Sequence, residues 1–545
     1  MATKSLQYIN AVHFPSRENM DEKMMVIYKK EDGTKGFTIT EEPNVEFYVT
    51  KDDYWLENPT TYIPKDQVEK KTFPCRSLLK DIAYFLGGES VDFFRECMNS
   101  KKFYYAKRLH LNPNLHGSDT DITDHYIGRF LDKYEQPKAP LLTKGFLDIE
   151  VNVREYEGFP DEHEAPCELN VVTYIHEPTM EIFTFILVDE NNESLLGFYE
   201  NNEAYKPWLL DSMKDECNVE FSKIHLLFFD KEIDLIKTLF STINDLKPDF
   251  CGMWNAQFDF LTLYNRIKQL GKTPEKIMCP SEMPYKKVYF SEDTRHQDPA
   301  EKNSHIDVSC YTNYIDTMLL YASIRKTMGK KDSYSLDAIS EEELGMKKLD
   351  LGADNVRTLP FSDFPEFVKY NIRDVVLLYM LDKKLGDINL IYSLAVKTRT
   401  RVSKAFTKTV CIKNLMKHFC EQQGWIMSNN HNATYGGDRE SNDKFKGAFV
   451  SDPLLNAKVG TIVNGEPSQF IFEKVIDMDL SSLYPSIILA FNIDLQTEFG
   501  KIILNQDEVD MSPQFMNGVI SKNWARLGEE WFGLPSPDEL IKKYS

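Results

Sequence analysis

The run Val475 to Ala490, VIDMDLSSLYPSIILA, constrains the fold more than any other part of this sequence. It reads as an apolar strand that carries Asp479 to its end, then a tight turn, then an apolar helix opened by Tyr484 and Pro485. Proline suits a first helical turn because the N–H it lacks has no intrahelical acceptor there. Ser481 or Ser482 can cap the same turn. An aspartate delivered to a strand end in this way is well placed to hold a metal ion.

A chain of 545 residues is too long for one core and implies three or four domains. Hydrophobic residues at 42% and charged residues at 27% match an ordinary globular protein. No apolar run approaches the ~20 residues of a membrane span, and MATKSLQYINAVHF lacks a signal peptide's apolar core. No membrane association is expected. The nine cysteines are scattered without a CxxC pair, so their spacing suggests neither a zinc site nor a disulfide framework; that fits a reducing cytosol. The net charge of −21 describes an acidic surface. It does not exclude nucleic acid, which needs a local basic stripe and not a basic total.

Residues 1 to about 140 alternate short β-like runs with polar turns, as in EFYVT (46–50) and KKFYYAKRLHL (101–111). From about 142 the pattern turns α/β. KGFLDIEVNV (144–153) and KIHLLFFD (223–230) read as strands, and DKEIDLIKTLFSTINDL (230–246) as an amphipathic helix. Residues 272–304 are polar and proline-rich, a long loop or hairpin. Residues 387–424 look helical, with a basic run of Lys397, Arg399, Arg401, Lys404 and Lys408, and 429–450 reads as a linker.

Three acidic pieces stand out. Asp148 and Glu150 lie two apart on a strand and so face one side. Asp259 opens a helix in WNAQFDFLTLYNRIKQLG (254–271). Tyr370 and Asp374 are i and i+4 on one helix in FVKYNIRDVVLLYMLDKKLG (367–386), hence neighbours on one face. Two-metal phosphodiester chemistry uses such carboxylates, converging on ions ~3.5–4 Å apart. A tyrosine hydroxyl beside them can hold the attacking water. Taken singly, each piece has an ordinary structural reading: an exposed strand edge, a helix N-cap, a half-buried ring beside a solvated charge.

Their order carries more. DIE, then NAQFD, then YNIRD follow one another at roughly 110 residues, and the Asp479 segment follows after roughly 105. This succession resembles the Exo I, Exo II, Exo III and motif A sequences of family B DNA polymerases, most closely those of T-even-type bacteriophages. DSYSLDAISEEELGMKKLD (332–350) and FKGAFV (445–450) resemble stretches of the same group, with Phe445 where the YxGAFV form has tyrosine. The resemblance covers the chain from about 100 onward.

The resemblance implies a multidomain protein, α/β and α+β. An RNase H-like 3′→5′ exonuclease, a mixed sheet with helices, would occupy 142–386. A β-rich N-terminal domain would occupy 1–141, a helical return and linker 387–450, and the first part of a polymerase palm 451–545. It implies that Asp148, Glu150, Asp259 and Asp374 ligate two Mg²⁺ ions, with Mn²⁺ as an alternative, and that Tyr370 positions the water. Asp479 would bind the polymerase metals, Leu480, Ser481, Ser482 and Leu483 would cradle the incoming triphosphate, and Tyr484 would exclude a ribose. Asn255 and Phe258 would shape the exonuclease cleft, and Phe445, Lys446 and Gly447 would contact DNA. The 278–296 loop, with Lys286 and Lys287, is a candidate strand-separating hairpin. Motif B, KxxxNSxYG, and motif C, YGDTDS, do not follow motif A. Asp119-Thr120-Asp121 reads as a turn and Lys302-Asn303-Ser304 as a loop. The expectation is therefore one subunit of a divided replicative polymerase in the cytoplasm of an infected bacterium. It would act on primer-template and single-stranded DNA, with a C-terminal polypeptide supplying fingers, the rest of the palm and thumb, beside other replisome proteins. The alternatives are a stand-alone exonuclease or an RNA-binding regulator.

Overall fold

The computed structural model describes residues 5–16, 21–51, 62–137, 141–156, 158–346 and 353–429, and a strand pair at 462–467. Residues 1–440 form one compact unit and 441–545 a second. In the second unit the described part is the antiparallel pair Ile462–Val463 with Glu466–Pro467. The motif A segment, with Asp479 to Tyr484, lies outside the described residues, as do Phe445, Lys446 and Gly447.

The N-terminal part is β-rich. Strands β1 (Leu6–Phe14), β2 (Lys23–Lys30) and β3 (Lys35–Glu41) form an antiparallel sheet. β4 (Asn44–Thr50), β6 (Val68–Pro74) and β7 (Leu115–His116) form another, in the order β6-β4-β7. The short β5 (Tyr62–Pro64) lies between β4 and β6 in sequence. Helix α1 (Ile122–Lys133) packs Ile127 and Phe130 against Tyr8 and Met24. Asp121 caps it, accepting from the Thr123 and Asp124 amides. Asp119 pairs with Lys413 at 2.7 Å, so the 119–121 stretch is a turn running into a cap. KKFYYAKRLHL was expected to be β-like and is instead a 3₁₀ helix, Phe103–Leu111. It contains no β-branched residue, and it buries Ala106, Leu109 and His110.

The second part centres on a six-stranded mixed sheet, β11-β10-β9-β8-β12-β15. β8 (Lys144–Val151), β9 (Leu169–His176) and β10 (Glu181–Leu187) run antiparallel in succession. β11 (Lys223–Phe229) joins β10 in parallel at one edge. β12 (Phe250–Met253) and β15 (Asn313–Asp316) extend the other side, each parallel to its neighbour. This is the RNase H-like mixed arrangement expected.

Alternation along β8 sorts the two layers. Phe146 joins the core built with α5 (Phe364–Leu385), whose Val368, Ile372, Val375 and Val376 are buried. Leu147 and Ile149 join the opposite core, with α2 (Glu232–Leu246) and α3 (Ala256–Gln269). Gly145 has no alternative on β8, because an added Cβ would run into the Tyr174 ring.

The expected hairpin exists with a different register. Its strands are β13 (Val288–Ser291) and β14 (His305–Val308), so its connection falls at 292–304, later than 278–296. Lys287 turns inward, its ammonium donating to the His13 carbonyl at 3.3 Å. The described course of the first unit ends in two helices, α6 (Asp387–Thr398) and α7 (Lys408–Gln422), and β16 (Trp425–Met427), which pairs with β5. Three members of the basic run on this segment are paired, while Lys397 and Lys408 are exposed. Arg399 pairs with Asp132 at 2.6 Å, Arg401 with Asp307 at 3.4 Å and Lys404 with Asp121 at 2.7 Å.

Candidate active site

β8, β12 and β15 run parallel, so their carboxyl ends open on one edge of the sheet, where open α/β sheets place their ligands. Asp148 and Glu150 share the Phe146 face of β8 and so look toward α5. A bulge between Glu150 and Val151 breaks the ladder with β9 directly beyond them. α5 is held across this face by a buried ion pair between Lys144 and Asp382 at 2.5 Å. Its start is fixed by Asp363, which accepts from the Glu366 amide.

Carboxylate oxygens of Asp148, Glu150 and Asp374 all lie within 4.8 Å of one another. Two residues from β8 and one from α5, more than 220 positions away, thus converge on one point. Tyr370, one turn before Asp374, is electrostatically coupled to the same three carboxylates. Burial and then the charges of Asp374, Glu150 and Asp148 push its pKa far up, so the phenol keeps its proton. Asn371 is fully buried and donates from Nδ2 to Asp148 Oδ2 at 2.8 Å, which fixes that carboxylate's orientation.

Asp259 enters from the third strand. β12 ends at Met253, and α3 begins at Ala256, so Asp259 sits in the first helical turn, its amide donating to the Asn255 carbonyl at 2.9 Å. It is only 4% exposed. Its Oδ2 has no hydrogen-bond partner among the described residues. Burial, Asp316 and Glu150, in that order, raise its pKa well above the usual carboxylate range. Like charges ~4 Å apart cost about 4 kcal/mol at an effective dielectric near 20. A divalent cation among these groups removes that repulsion and gives the orphaned oxygen a partner, so the donor set fits a hard, oxygen-ligated ion.

Asp316, at the end of β15, accepts from the Ala256 amide with Oδ2 at 3.0 Å and from the Leu319 amide with Oδ1 at 2.8 Å. One carboxylate therefore caps both α3 and α4 (Thr317–Ile324). Burial lifts its pKa to about 7 against the pull of those amides. Asn255 is exposed at the start of α3. The half-buried Phe258 packs on Phe159, with ring centroids 4.9 Å apart, and Phe159 is 75% exposed.

Asn371, Asp316 and Phe159 were missed by sequence reasoning. Asn371 was adjacent to Tyr370 in YNIRD. Asp316 precedes an apolar helical run as N-caps do. Phe159 carried no signal.

Residues 201–339 match the family model described as DNA polymerase family B, exonuclease domain. This region is similar to a family B exonuclease domain. The matched span contains Asp259 and Asp316, with Asp148 and Glu150 before it and Tyr370 and Asp374 after it. The chain is 24% identical over 377 residues to the DNA-directed DNA polymerase of Escherichia phage RB69, covering 68% of this chain and 37% of that one. It is 24% identical over 407 residues to the DNA-directed DNA polymerase of Enterobacteria phage T4, covering 70% and 40%. It is 26% identical over 412 residues to DNA polymerase 1 of Sulfolobus acidocaldarius, covering 72% and 40%. The chain thus spans about two fifths of the length of these relatives. Among the described residues no helix is long and apolar enough to cross a membrane.

Proposed function

We propose that this chain is a magnesium-dependent 3′→5′ exonuclease that shortens single-stranded DNA, and that it serves a replicative DNA polymerase as its N-terminal, proofreading part. The supporting observation is the meeting of Asp148, Glu150 and Asp374, with Asp259 buried beside Glu150. These four side chains would hold two Mg²⁺ ions, or Mn²⁺. Bound there, the ions supply positive charge to the scissile phosphate and acidify the attacking water.

The chain's own groups do the rest. Tyr370, kept neutral, offers a hydroxyl that orients a water by hydrogen bonding. Asn371 holds Asp148 in one rotamer. The Phe159–Phe258 pair offers an apolar face on which unpaired bases stack, an interaction worth ~1–3 kcal/mol per base and indifferent to sequence. Duplex DNA would have to fray before its 3′ end reached the carboxylates. Asn255, exposed beside this face, would bond to the frayed strand.

In this reading the division into 1–141, 142–386, 387–450 and 451–545 holds, and Asp479 and Tyr484 belong to a palm. Nucleotide addition needs a second palm aspartate and a fingers lysine. A C-terminal polypeptide carrying motifs B and C would supply both, in the cytoplasm of an infected bacterium.

The test is digestion of a 5′-labelled single-stranded oligonucleotide by the full chain. A Mg²⁺-dependent ladder shortening from the 3′ end is expected. Asp148→Ala should slow it about 10³-fold, the several kcal/mol that metal-assisted charge stabilisation supplies. Undiminished digestion by that variant would overturn the assignment. Primer extension with and without the C-terminal polypeptide tests the polymerase part separately.

A further inference from the structure

A second group of metal-ligating side chains lies far from the carboxylates, in the N-terminal part. His13 is the penultimate residue of β1, Glu22 immediately precedes β2, and Cys75 follows β6. One ligand atom from each lies within 4.8 Å of the other two. His13 Nε2 is 2.7 Å from Glu22 Oε1. Glu22 is 4% exposed, and its second oxygen, Oε2, is buried without a hydrogen-bond partner among the described residues. No lysine or arginine among the described residues pairs with it. The carboxylate's neighbours are the His13 imidazole and the Cys75 thiol, and the buried Oε2 costs free energy unless a donor or a cation reaches it. Cys75 stands apart from the other eight cysteines, which are all buried, in being partly exposed.

We infer that His13, Glu22 and Cys75 form a zinc site that ties the β1–β2 hairpin to the β4–β6 sheet. The donor set is one imidazole nitrogen, one carboxylate oxygen and one sulfur. That mixture suits Zn²⁺, a borderline-soft ion content with tetrahedral N, O and S ligation, and does not suit Mg²⁺, which prefers oxygen alone. Three protein donors leave one tetrahedral position to solvent, and the His13 side chain is 23% exposed, so water can reach it. Binding exchanges the thiol proton for the metal: the S–H bond breaks, a Zn–S bond forms, and the proton leaves to solvent. The spacing of the cysteines could not reveal such a site, because its donors come from three separate segments.

Cobalt(II) is the probe, added to the full chain after removal of metals with a chelator. A thiolate-to-cobalt charge-transfer band is expected in the near ultraviolet. The exonuclease carboxylates contain no sulfur and cannot produce it. Zn²⁺ should displace the band, Cys75→Ser should abolish it, and His13→Gln should weaken cobalt binding at least tenfold. Zn²⁺ should also raise the Tm of the wild type but not of Cys75→Ser. Single-strand digestion should be the same in both variants, which reports that they are folded. Absence of the band in the wild type, or a band of equal strength in Cys75→Ser, would overturn the site.

Discussion

Asp249 and Asp259 flank the same four-residue strand, β12, and both are buried, at 0% and 4% exposure. Their surroundings are opposite. Asp249 is clasped by Lys29 at 2.5 Å and Lys35 at 2.7 Å, and accepts from the Thr143 amide at 2.8 Å. Burial raises its pKa, but the two ammonium groups outweigh burial and hold it below the usual value. Asp259 has Asp316 and Glu150 as its charged neighbours and is pushed up. The first carboxylate fastens the sheet to the N-terminal hairpin with charge the chain supplies itself. The second has acids as its charged neighbours, and in the proposed function its counter-charge is a cation from solution. Burial alone does not separate a structural acid from a functional one; the source of the counter-charge does.

Exchanging each acid for its amide breaks the comparison most directly. Asp259→Asn should lower exonuclease activity about 10³-fold. It should also raise the metal-free protein's unfolding midpoint in urea, because it removes a repulsion. A lower midpoint would mean that Asp259 is a structural acid after all. Asp249→Asn should do the reverse. It leaves two buried ammonium groups short of a partner and should cost about 3–5 kcal/mol of stability, while the specific activity of the folded fraction stays at the wild-type level. A stable Asp249→Asn protein would dissolve the contrast from the other side.

pH sharpens it further. Asp316 has a folded-state pKa raised from 3.8 to about 7. Its stabilising contribution is therefore complete below pH 3.8 and is lost as pH rises toward 7, at most about 1.4 kcal/mol per pH unit. Asp249, with its pKa depressed, contributes above pH 3.8 and loses that contribution only in stronger acid. In chelator, the stability of the wild type relative to Asp316→Asn should fall between pH 4 and 7, whereas that relative to Asp249→Asn should stay level. A constant Asp316 difference would show that this carboxylate titrates normally. The smallest effect belongs to Asn371→Ala. Removing the side chain that orients a ligand costs about 10–100-fold in metal affinity, read as a higher Mg²⁺ concentration for half-maximal digestion. Asn371→Asp, which keeps the shape but adds a charge, should not restore it.

The parts of this molecule that follow a period were legible. Alternation gave β8 and the shared face of Asp148 and Glu150, and the 3.6-residue period gave α2 and the pairing of Tyr370 with Asp374. What depended on contacts distant in sequence was not legible. The bond from Asn371 to Asp148 spans 223 positions, and Asp316 caps α3 from 60 positions away. The partners of Arg399, Arg401 and Lys404 in the basic run, Asp132, Asp307 and Asp121, lie far upstream and could not be read from it. The segment 101–111 read as β-like, but without β-branched residues it coils as a 3₁₀ helix at Phe103–Leu111.

The pairing of β5 with β16 has a consequence for biosynthesis. Tyr62–Pro64 meets its partner strand only at Trp425–Met427, and the backbone of Tyr8 receives its bond from the Tyr392 hydroxyl, 384 positions later. At ~5–20 residues per second on the ribosome, the first segment to emerge waits tens of seconds for the groups that close it. The strands from β8 to β15 lie within one continuous stretch and can assemble in that interval. The β8–β15 sheet can therefore pair before the last contacts that close the N-terminal part have been synthesised.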